Sequence, residues 1–190
     1  MRLIPFALIL CALPLSGAAR AQEHPFSFSP FLSFDRYRSS GFDAGFDYGA
    51  AAAYSFPDGL SFRAEAAFGQ RTITYDVVGG TQFLSGRVSE FSLSAGYRLI
   101  GGAAGPSLSL SLGAGRTGAT VDATTVSLGA LGTLAIPERT AAHGFVEAGL
   151  TACTTFSRSV GIFLRPALRS VSTGVPADIS LEGGLRVGLF

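Results

Sequence analysis

The chain has 190 residues, 14 basic against 13 acidic side chains, two histidines, two cysteines and no lysine, for a formal net charge of +1. That balance excludes the basic footprint of a nucleic-acid binder, and so few cysteines and histidines exclude a disulfide framework or a Cys/His metal site. Mean hydropathy is positive at +0.40, yet no long apolar run follows the first twenty or so residues, which excludes a helical membrane protein.

Met1-Arg2 forms a short basic region, Leu3 to Leu15 an apolar run, and Ala19-Arg20-Ala21 an A-x-A cleavage site. The run is too short to span a membrane, so residues 1–21 read as a signal peptide and residues 22–190 as one exported domain. Cys11 lies inside the apolar run, without the small-residue setting of a lipoprotein site. Cys153 is then the single cysteine of the exported part.

The first predicted strand is P-F-S-F-S-P-F-L-S-F, with Phe26, Phe28, Leu32 and Phe34 of one parity and Ser27, Ser29 and Ser33 of the other. Pro30 within it calls for a local bulge, because proline cannot donate to a ladder. Asp35 to Asp43 is polar and reads as a short outer loop. The clearest pattern follows in Ala44 to Gln70. Ala44, Phe46, Tyr48, Ala50, Ala52, Tyr54 and Phe56 alternate with small or polar residues, Pro57-Asp58-Gly59 signals a tight turn, and Phe62, Ala64, Ala66 and Phe68 resume the alternation. A period of two over both arms predicts a hairpin with one apolar and one polar face. Its rings stand at the two ends of each strand, with alanines between. Ten residues tilted by about 40° rise roughly 25 Å, the height of a lipid-facing band between two aromatic girdles.

Arg71 to Ser85 reads as a longer outer loop centred on Gly79-Gly80. Val88 to Leu99 repeats the ring–small–ring pattern, with Phe91, Leu93, Ala95, Tyr97 and Leu99 outward and Glu90, Ser92, Ser94, Gly96 and Arg98 inward. Gly101 to Pro106 is an inner turn, and S-L-S-L-S-L-G-A-G a further strand. Thr117 to Ala142 fits either a ninth strand or an outer loop carrying its own hairpin. The loop reading gives eight strands, with both termini on one side and connections short inside and longer outside. His143 to Thr154, Val160 to Arg169 and Ile179 to Phe190 complete the set. The predicted fold is therefore all-β: an antiparallel up-and-down transmembrane β-barrel of eight strands.

Export signal, domain length, eight alternating segments and the C-terminal run L-E-G-G-L-R-V-G-L-F together resemble the small OmpA/OmpX-type outer-membrane barrels. The resemblance implies a monomer in the bacterial outer membrane, in contact with its lipid and lipopolysaccharide. It also implies delivery by the barrel-assembly machinery, which reads a C-terminal strand closing on an aromatic residue. Phe190 matches that feature, although its parity sets it apart from the outward Leu185, Val187 and Leu189. The resemblance carries no catalytic motif and implies neither enzyme activity nor a cofactor. It places ligand binding, where present, on the outer loops, chiefly Arg71 to Ser85 and Arg116 to Ala142, because loops on a rigid scaffold carry function.

Inward parity collects charges. Asp47, Glu65, Glu90, Glu147 and Glu182 face Arg63, Arg98, Arg165, Arg169 and Arg186. The lumen of an eight-stranded barrel is just wide enough for side chains to fill, and buried charges must be paired. An arginine–carboxylate network plugging the lumen is the expectation, with a narrow gated pore as the alternative. Gly113, Gly115 and Gly118 match G-x-G-x-x-G, but the strand before them alternates and the residues after them are β-branched, so a nucleotide site is rejected. His143 invites comparison with outer-membrane lipid A-modifying enzymes. Position 145 is Phe where the deacylase pattern has serine, and Glu147 is about 13 Å along the strand. The other histidine, His24, precedes the first strand. A non-enzymatic role in envelope integrity or surface interaction is the functional expectation.

Overall fold

A computed structural model describes residues 25–36, 44–77, 80–102, 105–127, 132–157, 159–171 and 178–189. The signal segment, His24 and Phe190, with their predicted roles, lie outside these residues. The described chain is all strand: β1 (Phe26–Arg36), β2 (Gly45–Ser55), β3 (Leu60–Val77), β4 (Gly80–Ile100), β5 (Ser107–Val121), β6 (Thr124–Ser127), β7 (Thr133–Ile136), β8 (Arg139–Thr155), β9 (Val160–Val171) and β10 (Asp178–Leu189). Eight of them close into an antiparallel barrel in the order β1-β10-β9-β8-β5-β4-β3-β2, and β6 and β7 form a separate hairpin. Closure runs through β1, which pairs with β2 (Phe26↔Tyr54) and with β10 (Phe26↔Leu189). No barrel strand is left with an open edge at mid-height, which is the condition for β structure in lipid.

The alternation sorts the side chains as the period of two requires. Outward positions leave large apolar groups bare, among them Leu32 (63% exposed), Phe46 (70%), Leu93 (69%) and Leu112 (64%), while the inward Glu65, Glu147 and Arg165 are buried. A water-soluble fold rarely leaves so continuous an apolar surface uncovered. Between Phe26 and Phe34, Phe46 and Tyr54, and Phe91 and Leu99, the outward positions carry no charge. Rings meet at two levels. Phe26, Tyr54, Phe56 and Phe62 lie in edge-to-face contact near the inner turns, and Phe34–Phe46 (5.2 Å) and Phe68–Phe91 (6.1 Å) lie above. The alanines between them pair directly, as Ala50↔Ala66 and Ala52↔Ala64. Among the described residues of the outer wall these rings keep to β1–β4 and the β2–β3 turn; the outward positions of β5 and β8–β10 carry no ring, and one exposed ring, Phe156, follows the end of β8.

Four local readings need correction. Pro30 causes no bulge: pairing with β10 passes from Phe28↔Val187 to Phe31↔Gly184 without a shift in register. Proline is accommodated by omitting bonds rather than by inserting a residue. Asp35 belongs to β1, not to a loop, and is buried. Arg71 to Ser85 is not a loop either. β3 and β4 stay paired from Leu60↔Tyr97 to Val77↔Gly80, because backbone pairing does not need an apolar face once the strands leave the lipid band. The hairpin therefore stands roughly 20 Å above the start of β2. Thr117 to Ala142 is only partly a loop: β5 and β8 pair as far as Val121↔Arg139, and β6–β7 forms the projecting hairpin between them. Val126 of that hairpin packs with Leu84, Val121 and Ile136 into a small apolar cluster above the barrel.

Candidate functional site

The lumen is divided into two halves of different chemistry. Its outer half is packed with charge. Arg165 of β9 has a fully buried side chain and donates to Glu182 of β10 at 2.6 Å and Glu147 of β8 at 2.5 Å. Four residues further along β9, Arg169 reaches Glu90 of β4 (2.7 Å), Asp35 of β1 (3.2 Å) and the second oxygen of Glu147 (3.3 Å). Arg63 of β3 donates to Glu65 (2.8 Å) and Glu182 (3.0 Å). Arg71 donates to Asp47 of β2 (2.5 Å) and to the Phe46 carbonyl (2.9 Å). Every barrel strand except β5 supplies a charge, and β5 supplies Thr117, whose hydroxyl donates to Glu90 at 3.2 Å. Each guanidinium presents a planar fork of donors, so one arginine can join two or three strands across the bore.

Rings and glycines shape this packing. The Arg63 guanidinium lies over Phe163 (5.1 Å) and Phe31 (5.6 Å), and Arg169 over Phe145 (5.1 Å), so cations are sandwiched against π faces as well as carboxylates. Gly49 and Gly115 stand where a Cβ would strike Phe31 and Phe145, and Gly149 where it would strike Arg165. The glycine-rich stretch of β5 thus serves to admit bulky inward groups. No helix follows Gly113, Gly115 and Gly118, which lie within β5.

Of the residues selected from the sequence, Asp47, Arg63, Glu65, Glu90, Glu147, Arg165, Arg169 and Glu182 lie in this cluster. Arg98 and Arg186 lie in the other half of the lumen. Two members, Asp35 and Arg71, escaped sequence reasoning because both were assigned to loops; Asp178 is also buried and inward-facing. Parity held the missing signal. Asp35 continues Ser27–Ser29–Ser33, and Arg71 continues Arg63–Glu65–Gly69.

Below Arg63 the bore opens into a cavity of about 140 Å³ at the end that carries the short turns. Hydroxyls line it, including Ser29, Ser61, Ser94, Ser109 and Thr151, together with Cys153, Arg98 and Arg186. His143 stands exposed on β8 above the cluster, opposite Thr117. No hydrogen bond or ion pair joins it to serine or carboxylate among the described residues.

No family model matches the sequence, and no curated protein matches it. Solved structures do match the fold. Neisserial surface protein A superposes with a TM-score of 0.61 at 15% identity, over 87% of this chain and 97% of that one. The outer-membrane protein OprG of Pseudomonas aeruginosa gives 0.59 at 10% identity, over 85% and 94%. A major outer-membrane protein of Thermus thermophilus gives 0.55 at 14% identity, over 86% and 99%. An uncharged apolar wall on such a barrel is built for a bilayer, and in bacteria the setting of this architecture is the outer membrane. The chain has the fold of the small eight-stranded barrels of bacterial outer membranes.

Proposed function

We propose that the protein is a non-enzymatic outer-membrane barrel whose lumen is closed by its arginine–carboxylate cluster and whose outer rim serves surface interaction or envelope integrity. Arg165 carries this reading: a guanidinium without solvent exposure, held between Glu147 and Glu182, extends across the bore from β9 to within 3.6 Å of Glu65 on β3. The partners fall into three groups. Lipid and lipopolysaccharide meet the wall, the assembly machinery meets the C-terminal strand, and an extracellular ligand meets the raised β3–β4 and β6–β7 hairpins. Phe83 and Leu134 on those hairpins are exposed apolar groups beyond the lipid band, at 69% and 50%.

Planar-bilayer recording of the purified protein tests the closed lumen. The expected result is no unitary conductance. Steady unitary currents that disappear in Glu65→Gln would replace this reading with a gated pore. Expressing cells should show an unchanged lipid A mass spectrum; a new species that vanishes with His143→Ala would assign an enzyme instead.

A further inference from the structure

The inner half of the lumen differs from the outer half in a way that plugging alone does not require. Its described lining contains no carboxylate, whereas the cluster above contains Asp35, Asp47, Glu65, Glu90, Glu147 and Glu182. Four arginines line it: Arg63 and Arg165 at the roof, each ion-paired to carboxylates of the cluster above, and Arg98 and Arg186 near the mouth. Arg186 donates to the Ser55 hydroxyl at a long 3.5 Å. Arg98 is placed by the neighbouring turn, its backbone amide donating to the Gly59 carbonyl at 3.0 Å. Inward serines and threonines add neutral hydroxyl donors around the same space. Cationic forks, hydroxyl donors and the absence of carboxylate are what a hydrated oxyanion selects. The volume is adequate, since a cavity of about 150 Å³ admits a molecule as large as benzene.

We propose that this blind vestibule binds small oxyanions, of the size and charge of inorganic phosphate, entering from the mouth beside the short turns. Ions of the opposite sign are repelled by Arg98 and Arg186, and passage onward is stopped by Arg63, Phe163 and Arg165. Cys153 lines the same cavity and reports on it directly.

The test uses the folded protein in detergent, carrying Cys11→Ser so that Cys153 is the single thiol. Its reaction rates with methanethiosulfonate reagents of like size, one anionic sulfonate and one cationic ammonium, are each normalised to the reagent's rate with a small free thiol. The anionic reagent should be favoured about fivefold or more at low ionic strength, with the preference shrinking as salt is added. Millimolar phosphate should slow the anionic reagent, and Arg98→Gln with Arg186→Gln should abolish both effects. Heat-modifiable mobility on gels verifies folding, and the single variants are read if the double variant fails it. Equal or reversed preference, no phosphate protection, or a thiol that no reagent reaches in the folded protein would each overturn the proposal. Because no current is measured, this site can fail while the closed lumen stands.

Discussion

Arg165 is the residue on which the interior turns. Removing it leaves Glu147 and Glu182 as buried carboxylates without their principal counter-charge, and breaking a buried pair this way costs about 3–5 kcal/mol. Arg165→Ala should lower unfolding stability by that amount in denaturant titrations of the lipid-reconstituted protein. Arg165→Lys should recover less than half of the loss, because a single ammonium cannot span both carboxylates as a planar fork does. Full rescue by lysine would show that charge alone, without bidentate geometry, holds the centre. At this scale the sequence was legible wherever a strand was recognised. Glu65, Glu90 and Arg169 could be placed inside from parity; Asp35 and Arg71 share that parity but were assigned to loops, because polar neighbours such as Arg36, Gln70 and Thr72 disguise the strand ends. Inward orientation is a local property; burial depends on what lies across the lumen.

Among the elements, the raised β3–β4 hairpin alters what the outer surface presents. A protease cuts extended chain that can leave its pairing, and Arg87 and Arg116 are paired on both sides, through Gln70↔Arg87↔Thr120 and Phe91↔Arg116↔Gly144. Arg71 is buried with its guanidinium on Asp47. Arg139 opens β8 with a partner on one side only, Val121. Trypsin added to intact cells should therefore cut first at Arg139 and spare Arg71, Arg87 and Arg116, as read from released peptides by mass spectrometry. Early cleavage at Arg71 would mean that this segment is an open loop after all. The sequence marked the position of these outer connections but overstated their length. Apolar alternation stops at the lipid boundary, and hydrogen-bonded pairing does not.

For the molecule as a whole, the apolar wall sets the depth at which it sits. Ala64 faces outward midway between the two ring levels, and Gln70 faces outward just above Phe68. Placing arginine at the middle of a barrel's lipid face costs about 2–4 kcal/mol and near the interface about 0–1 kcal/mol. Ala64→Arg should thus be far more damaging to stability in bilayers than Gln70→Arg, and equal costs would contradict the assigned band. Class and the inside–outside sorting of nearly every strand were legible in the sequence alone, because a period of two and ring-ended segments are local features that survive without knowledge of neighbours; the choice of eight barrel strands over nine was decided by the pairing of β5 with β8. Only closure of the barrel decided which charges meet. β9 brings Arg165 and Arg169 against β1, β3, β4, β8 and β10 at once, while Arg98 and Arg186, alike in parity, fall a few residues lower along their strands and line a separate vestibule. Parity specifies the face of a side chain; its height in the lumen follows from register and stagger, which are set between strands.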